Sequence, residues 1–387
     1  MRRIFVFALL SFSTCVNLFS QDFRQAADGI EYAEMTREID ELPVKINLLR
    51  LDLSKIRLDV VHAKDAAIGL EKTSTMAVRH GAFAAINAGF FRIDKSIFEG
   101  DDVGILKIDG KLLSESYANR IALLIKNNEA RSLVSFEHLN SSIKLSTQRR
   151  TLQITGMNRQ PAENDIILLT PEFHRTTLTN PGGLEIIVRK NRISKIIVGK
   201  GSSEIPPYGF VISVTGDKRQ ALQQLTVGRR ISVGLSNSHS PSQMFELSNS
   251  KIASAEDVVS GVPQLIKNGK IEITWEQEKS SKSFVDTKHP RTAVGQLKDG
   301  KFLMVTVDGR SETSSGIALP ALAAFLLEMG ATDAMNLDGG GSTTMFLQGK
   351  VVNHPSDKEG ERSVGDAILV TLRKKDQPRT ITRIPQK

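Results

Sequence analysis

The stretch 334–346, "AMNLDGGGSTTMF", decides the fold, because it begins as an apolar strand and then breaks at Asp338 before three consecutive glycines. Glycine loses much conformational entropy on folding and has no side chain to pack. Three in a row therefore indicate a sharp turn or a close approach of the backbone to something else. The hydroxyl side chains of Ser342, Thr343 and Thr344 follow directly. The stretch predicts a strand that ends at a ligand site.

The residues before this stretch predict a strand hairpin and a helix. "RTAVGQLKDGKFLMVTVDGR" (291–310) is typical of two strands joined at Asp299-Gly300, a common hairpin turn. "SETSSGIALPALAAFLLEMG" (311–330) places apolar side chains on one helical face and ends at Gly330. A second strand thus ends in Asp-Gly, at Asp308.

The remaining chain is a succession of short apolar runs separated by turn residues, a pattern typical of antiparallel strands. We predict an α+β fold with a mixed, largely antiparallel sheet and flanking helices, in a single large domain with an N-terminal β-rich portion. Its parts are an N-terminal β-rich part (30–140), a β-rich middle (141–260), a motif-bearing C-terminal part (261–372) and a basic tail (373–387). Within them, 43–63 predicts a hairpin and 274–290 an exposed loop.

The N-terminus predicts export. Two arginines precede an apolar stretch, as in a secretory signal peptide over 1–20. The only cysteine, Cys15, would be removed with it, or would become a lipid anchor if cleavage occurs just before it. We expect a secreted, periplasmic or cell-envelope protein without disulfides, with membrane association possible only through a lipidated Cys15.

Composition argues against nucleic-acid binding. The formal charge is +8, from 51 Lys+Arg against 43 Asp+Glu, but the basic residues are scattered and aromatic residues make up only 5%. A nucleic-acid surface needs a basic stripe and, for single strands, aromatic platforms. We expect no nucleic-acid partner.

The two strand-ending acids are the first candidates for chemistry. Asp308 and Asp338, at the ends of adjacent strands, would place paired carboxylates on one rim, as glycoside cleavage requires. Asp308 could also be only a turn residue. The glycine loop offers backbone N–H groups for phosphate oxygens, and Arg291, Arg310 and Arg362 are possible phosphate partners.

Other polar clusters carry weaker signals. Glu99, Asp101 and Asp102 are interpreted as a solvated loop, since their spacing lacks a calcium-loop pattern. The histidines show no zinc-binding grouping and no GxSxG nucleophile motif occurs. No metal and no cofactor are expected.

The motifs together resemble one family. "NAGFF" (87–91), "SGVPQLIKNGK" (260–270), "RTAVG" (291–295), "VDGR" (307–310), "AMNLDGGGSTTM" (334–345) and "VVNHPSD" (351–357) resemble the phosphodiester glycosidase family from about residue 80 to 372. The resemblance implies a hydrolase that cleaves the glycosidic bond of a sugar-1-phosphodiester, with an N-acetylglucosamine-type sugar. The products would be the free sugar and a phosphomonoester.

The resemblance also implies a set of site residues. Asp308, Asp338 and Arg291 would be catalytic, with acid and base roles left open. The substrate-binding residues would be Asn87, Gly89, Asn336, Gly339, Gly340, Gly341, Ser342, Thr343, Arg310 and Arg362. A bacterial envelope polymer or phosphate-linked exopolysaccharide is the expected substrate. The alternative is a noncatalytic protein that binds phosphorylated glycans during polysaccharide export or envelope assembly.

Overall fold

The computed structural model describes residues 23–147, 150–222, 224–236 and 250–373. The predicted signal segment 1–20, with Cys15, and all of the basic tail after Arg373 lie outside these residues. Among the helices described, none has the length and apolar character needed to cross a membrane.

Strands dominate this part of the chain. Strands β1 to β10 are Arg24–Ala27, Ile30–Ile39, Leu42–Leu51, Ile56–His62, Glu71–Lys72, Ala84–Asn87, Leu106–Ile108, Lys111–Ser114, Ile121–Asn127 and Ser132–His138. Strands β11 to β18 are Ser142–Thr147, Thr151–Ile154, Gly156–Met157, Ile166–Leu169, Leu184–Arg189, Arg192–Val198, Gly209–Val214 and Ile231–Ser236. Strands β19 to β28 are Asp257–Ser260, Gln264–Lys267, Lys270–Ile271, Arg291–Leu297, Phe302–Val307, Ala331–Asn336, Met345–Leu347, Lys350–Val351, Ser363–Val364 and Asp366–Leu372. Helices α1 to α5 are Thr73–Arg79, Arg219–Leu222, Ser250–Ser254, Lys282–Asp286 and Leu319–Glu328.

Five sheets organise these strands. Sheet A has eight strands in the order β1-β2-β3-β23-β22-β24-β20-β21, and sheet B has five, β26-β25-β6-β28-β4. Sheet C is β10-β9-β19-β7-β8, sheet D is β13-β14-β17-β15-β16 and sheet E is β12-β11-β18, with β27-β5 as a separate pair. Every pairing is antiparallel except that of β13 with β14. The prediction of a largely antiparallel arrangement is confirmed.

Sheet A is covered on both faces. One face packs with sheets B and C in a core that includes Leu49, Met304 and Ile368. The other face packs against α5, through residues such as Leu322 and Leu326. Sheets D and E, from the middle of the chain, pack with the other face of sheet C in a second core.

The helical layer is smaller than predicted. Sheet accounts for 46% of the residues and helix for 11%, so the fold is β-rich and the predicted flanking helices are overstated. Helix α5 does form where predicted and ends before Gly330, whose φ of +88° suits a glycine stop. The β22–β23 hairpin also forms around Asp299-Gly300.

Two local predictions are wrong. The 43–63 segment is not a hairpin, because β3 joins sheet A while β4 joins sheet B. Its consecutive Leu48 and Leu49 are both buried, as expected of a strand covered on two faces. The 274–290 segment is not simply an exposed loop, since it contains α4 and the fully buried Glu278, whose carboxylate accepts hydrogen bonds from the Ile121 and Gln264 N–H groups.

Candidate active site at a crossing between two sheets

Asp338 lies where the chain passes from sheet A to sheet B. The Leu337 N–H still bonds to Thr292 in sheet A at 2.8 Å, whereas the Asp338 N–H bonds to the Ala88 carbonyl, beyond the end of β6, at 2.9 Å. The Asn87 Nδ2 donates to the Asp338 carbonyl at 2.7 Å. The chain then enters β25, which pairs with β6. The strand therefore stops at Asp338 because the next residues must cross between sheets.

Close contacts and backbone conformation favour glycine along this crossing. A Cβ atom on Gly339 would lie 2.7 Å from the Pro290 carbonyl oxygen, and one on Gly340 would lie 2.9 Å from the Arg310 guanidinium. Gly340 also has φ of +62°, a backbone conformation that favours glycine. Gly341 is crowded in the same way by the Arg362–Asp357 pair.

The two arginines beside the loop differ in their partners. Arg362 makes a two-point ion pair with Asp357, at 2.7 and 3.0 Å. Arg310 is exposed, and its closest polar contact is His289 Nδ1 at 3.5 Å. Among the described residues no carboxylate pairs with Arg310. Its positive charge is therefore available to an anion next to Gly340.

Arg291 lies beneath the site. It is only 1% exposed, and it donates to the backbone carbonyls of Phe284, Thr287 and Ile317 at 2.6, 2.9 and 3.2 Å. Burial and the nearby Arg310 lower the pKa of Arg291 to about 10. These contacts hold the segment before β22 and the residues that precede α5. The role of Arg291 in catalysis stays a prediction.

The two asparagines are also buried. Asn87 Oδ1 accepts hydrogen bonds from the Thr292 hydroxyl and the Thr344 N–H, so this side chain connects sheets A and B. Asn336 Nδ2 donates to the Val262 and Leu337 carbonyls, while its Oδ1 is buried without a hydrogen-bond partner. Both residues position the crossing, and direct substrate contact by either stays a prediction.

Asp308 lies on the same rim, but its strand is not adjacent to that of Asp338. Strands β23 and β24 flank β22 on either side, so two strand spacings, about 10 Å, separate their backbones. Asp308 Oδ1 accepts hydrogen bonds from Asn353 Nδ2 at 3.1 Å and the His354 N–H at 3.0 Å. Asn353 also donates to the Thr343 carbonyl, which connects Asp308 to the glycine loop.

The two acids have distinct electrostatic surroundings. Asp338 is partly exposed, but the protein around it removes much of its hydration and raises its pKa to about 6. The Ser342 hydroxyl, the Gly339 N–H and the charge of Arg362 oppose this shift. Burial also raises the pKa of Asp308, against the two donors described above. Asp338 thus titrates near the range where a carboxylate can exchange protons at neutral pH.

Three hydroxyl groups after the glycines have unused hydrogen-bonding capacity. The side-chain oxygens of Ser342, Thr343 and Thr344 are buried and have no well-aligned hydrogen-bond partner. Buried polar atoms are usually paired, and exceptions call for a specific reason. A ligand that enters the crossing would supply partners.

Sequence reasoning missed several residues around Asp338. The Gly89 N–H donates to Asp366 Oδ1 at 2.6 Å, and the charge of Asp338 raises the pKa of Asp366. Asp102, interpreted as part of a solvated loop, has a side chain only 5% exposed and faces Asp366; Asp101 is also buried. The only sequence signal for Asp366 was a charged residue at the start of an apolar strand.

The fold and the site define a β-rich protein with a carboxylate and a glycine loop at a sheet crossing. Residues 183–371 match the family model for phosphodiester glycosidases, so the predicted resemblance is confirmed. The "NAGFF" motif lies outside the matched stretch, although the structure brings it to Asp338.

Individual relatives agree with this match. An N-acetylglucosamine-1-phosphodiester alpha-N-acetylglucosaminidase from Bos taurus is 40% identical over 109 residues, which are 26% of this chain and 20% of that protein. A prophage-derived protein of Bacillus subtilis is 42% identical over 87 residues, 22% of this chain and 13% of that protein. The chain thus spans a fifth or less of these two relatives. A solved structure from Burkholderia pseudomallei is 26% identical with a TM-score of 0.71, covering 85% of this chain and 74% of that one.

Proposed function

We propose that the protein hydrolyses the glycosidic bond of a sugar-1-phosphodiester, with an N-acetylglucosamine-type sugar, and releases the free sugar and a phosphomonoester. The observation that carries the proposal is the crossing at Asp338, where a partly exposed carboxylate of raised pKa lies beside a glycine loop and two arginines. The family match over 183–371 supports the proposal that a glycosidic bond to phosphate is cleaved. The name of the bovine relative supports the proposal of an N-acetylglucosamine-type sugar.

The residues of the crossing suit this reaction. The bond between the anomeric carbon and the phosphate oxygen breaks, its electron pair goes to the phosphate, and a water oxygen bonds to the carbon. Asp338, largely ionised at neutral pH with a pKa of about 6, accepts the proton of this water. Arg310 stabilises the departing phosphate, and Asp308, whose ionised form is favoured by Asn353 and His354, stabilises positive charge on the sugar ring.

The proposal includes the cellular localisation of the protein. The N-terminal pattern of two arginines and an apolar stretch supports export to the cell envelope or beyond. A phosphate-linked envelope polymer or exopolysaccharide is then the substrate class. Localisation of a fusion that carries residues 1–20, with a Cys15→Ser variant, tests export and lipid attachment.

Release of N-acetylglucosamine from UDP-N-acetylglucosamine tests the activity. We expect release by the protein, unaffected by EDTA, and a fall of about 10²–10⁴-fold in Asp338→Asn. Asp299→Asn is the matched control, since Asp299 is also followed by glycine but is an exposed turn residue; its rate should equal that of the unmodified protein. Equal rates in both variants would contradict the role of Asp338.

The binding alternative gives a different result in the same experiment. A noncatalytic glycan-binding protein would release no sugar, while UDP-N-acetylglucosamine would still raise its melting temperature. That outcome would overturn the hydrolase proposal. Loss of release with EDTA would instead indicate a metal-dependent reaction.

A further inference from the structure

A second pair of carboxyl groups lies next to Asp338. The side chain of Asp102 is 5% exposed, and Asp366 is 1% exposed. Both carboxyl oxygens of Asp102 and the Oδ2 of Asp366 are buried and accept no hydrogen bond from the described N–H and O–H groups. The two groups face each other closely enough for a hydrogen bond between them if one is protonated.

One peptide group connects this pair to the candidate catalytic acid. The carbonyl of Ala88 accepts a hydrogen bond from the Asp338 N–H at 2.9 Å. The N–H of the same peptide, on Gly89, donates to Asp366 Oδ1 at 2.6 Å. A Cβ atom on Gly89 would lie 2.8 Å from Asp366 Oδ2, so only glycine leaves room for the carboxyl group.

The charged groups around the pair do not neutralise it. His62 Nε2 lies 3.5 Å from Asp102 Oδ2 but 3.0 Å from the Gly100 carbonyl, and burial lowers the pKa of His62. Asp101 and Asp338 add negative charge on either side.

Arg362, which acts on Asp338, does not supply the missing charge either. Arg362 is already paired with Asp357. Two buried carboxylates without a cation cannot both ionise at neutral pH, and burial accordingly raises the pKa of Asp366 and of Asp102.

We propose that Asp102 and Asp366 share one proton at neutral pH, and that their single negative charge, held beside Asp338, sets the protonation of this acid. Asp366 is thereby a positioning residue of the site, acting through the Ala88–Gly89 peptide and through its charge. The role in catalysis rests on the proposed function, but the shared proton does not.

The pH dependence of sugar release from UDP-N-acetylglucosamine separates the two members of the pair. Asp366→Asn removes the negative charge beside Asp338, so the Asp338 limb of the pH–rate profile should move to lower pH. Asp102→Asn places the charge on Asp366, beside Asp338, and should move the limb to higher pH. Each shift should be about 0.5 pH units or more. Shifts in the same direction, or none, would overturn the proposal.

Asp257→Asn is the matched control. Asp257 is another buried carboxyl with a raised pKa, but it accepts hydrogen bonds from the Val60 and Asp109 N–H groups and has no contact with Asp338. Its replacement should lower the melting temperature without moving the profile. If Asp366 had only a structural role, Asp366→Asn would likewise lower the melting temperature without moving the pH–rate profile. A moved profile therefore distinguishes the proposed role from a structural one.

Infrared difference spectroscopy tests the shared proton without any activity. The spectrum of the protein minus that of the double variant Asp102→Asn/Asp366→Asn at neutral pH should contain a protonated carboxyl band, because the variant lacks both carboxyl groups. The absence of this band would overturn the shared proton. If the protein releases no sugar but the band is present, the proposed function fails and the proton-sharing pair stands.

Discussion

The crossing at Asp338 and the middle of the chain treat buried polar groups in opposite ways. In sheet D, the buried carboxylate of Glu185 accepts hydrogen bonds from the Thr179 hydroxyl and from the N–H and hydroxyl of Ser203. At the crossing, the buried hydroxyls of Thr343 and Thr344 have no hydrogen-bond partner. A satisfied network stabilises a fold, whereas unused hydrogen-bonding groups cost stability and are retained where a ligand uses them. The middle is therefore scaffold, and the crossing is the site.

The largest expected effect comes from the acids of the two regions. Asp308→Asn should lower the rate of sugar release by about 10²–10³-fold, because it removes the negative charge at the rim, while the free energy of unfolding changes little. Glu185→Gln should do the reverse: the rate stays constant, and unfolding is easier by about 1–3 kcal/mol, since an amide N–H₂ now faces the Ser203 N–H. Steady-state kinetics and urea unfolding of both variants measure the rate loss and the stability loss. A rate loss in Glu185→Gln would remove the distinction between scaffold and site.

The glycines of the two regions give the next effect. Gly339→Ala places a methyl group 2.7 Å from the Pro290 carbonyl, a backbone atom that cannot move independently. We expect a rate loss of about 10–100-fold, because the loop must shift away from Asp338. Gly234→Ala in sheet E is the control, as nothing lies within 4 Å of its added Cβ. Equal activity of the two variants would show that the loop position is unimportant.

The comparison also shows which features a sequence reveals. The β22–β23 hairpin, helix α5 and the strand end at Asp338 were predictable, since hairpin turns, apolar periodicity and glycine runs are local signals. The separation of β3 from β4 and the crossing into sheet B depend on pairings distant in sequence. The burial of Asp102 against Asp366 depends on them too, because 264 positions separate the residues, and a charged residue alone predicts solvent exposure.

Substitution of one serine in each region tests the same comparison, with smaller expected effects on stability and on kinetics. Ser203→Ala removes a donor to the buried Glu185 and should destabilise the protein by about 1–2 kcal/mol with an unchanged rate. Ser342→Ala removes a hydroxyl that makes no well-aligned hydrogen bond, so stability should change little, while KM for UDP-N-acetylglucosamine rises several-fold. Thermal melts and steady-state kinetics report both values. Destabilisation by Ser342→Ala would mean that the hydroxyl is part of the scaffold.

The last prediction concerns stability at the site itself. The pKa of Asp338 is raised from 3.8 to about 6, so its protonated form is the one the fold favours. Protonation of Asp338 therefore contributes to the free energy of unfolding. This contribution is fully present below the pKa that Asp338 has in the unfolded chain, and it is lost as pH rises through about 6. Asp338→Asn cannot ionise, and should therefore become more stable than the unmodified protein by about 1–3 kcal/mol between about pH 4 and pH 7.

Comparing the two proteins at each pH cancels the contributions of buried acids that do not interact with Asp338, such as Asp257. Denaturant unfolding at about pH 4 and pH 7 measures the difference. A constant difference across this range would place the Asp338 pKa near its ordinary value. Asp338 would then ionise as readily as in the unfolded chain, and the crossing would cost no more stability than the middle of the chain does.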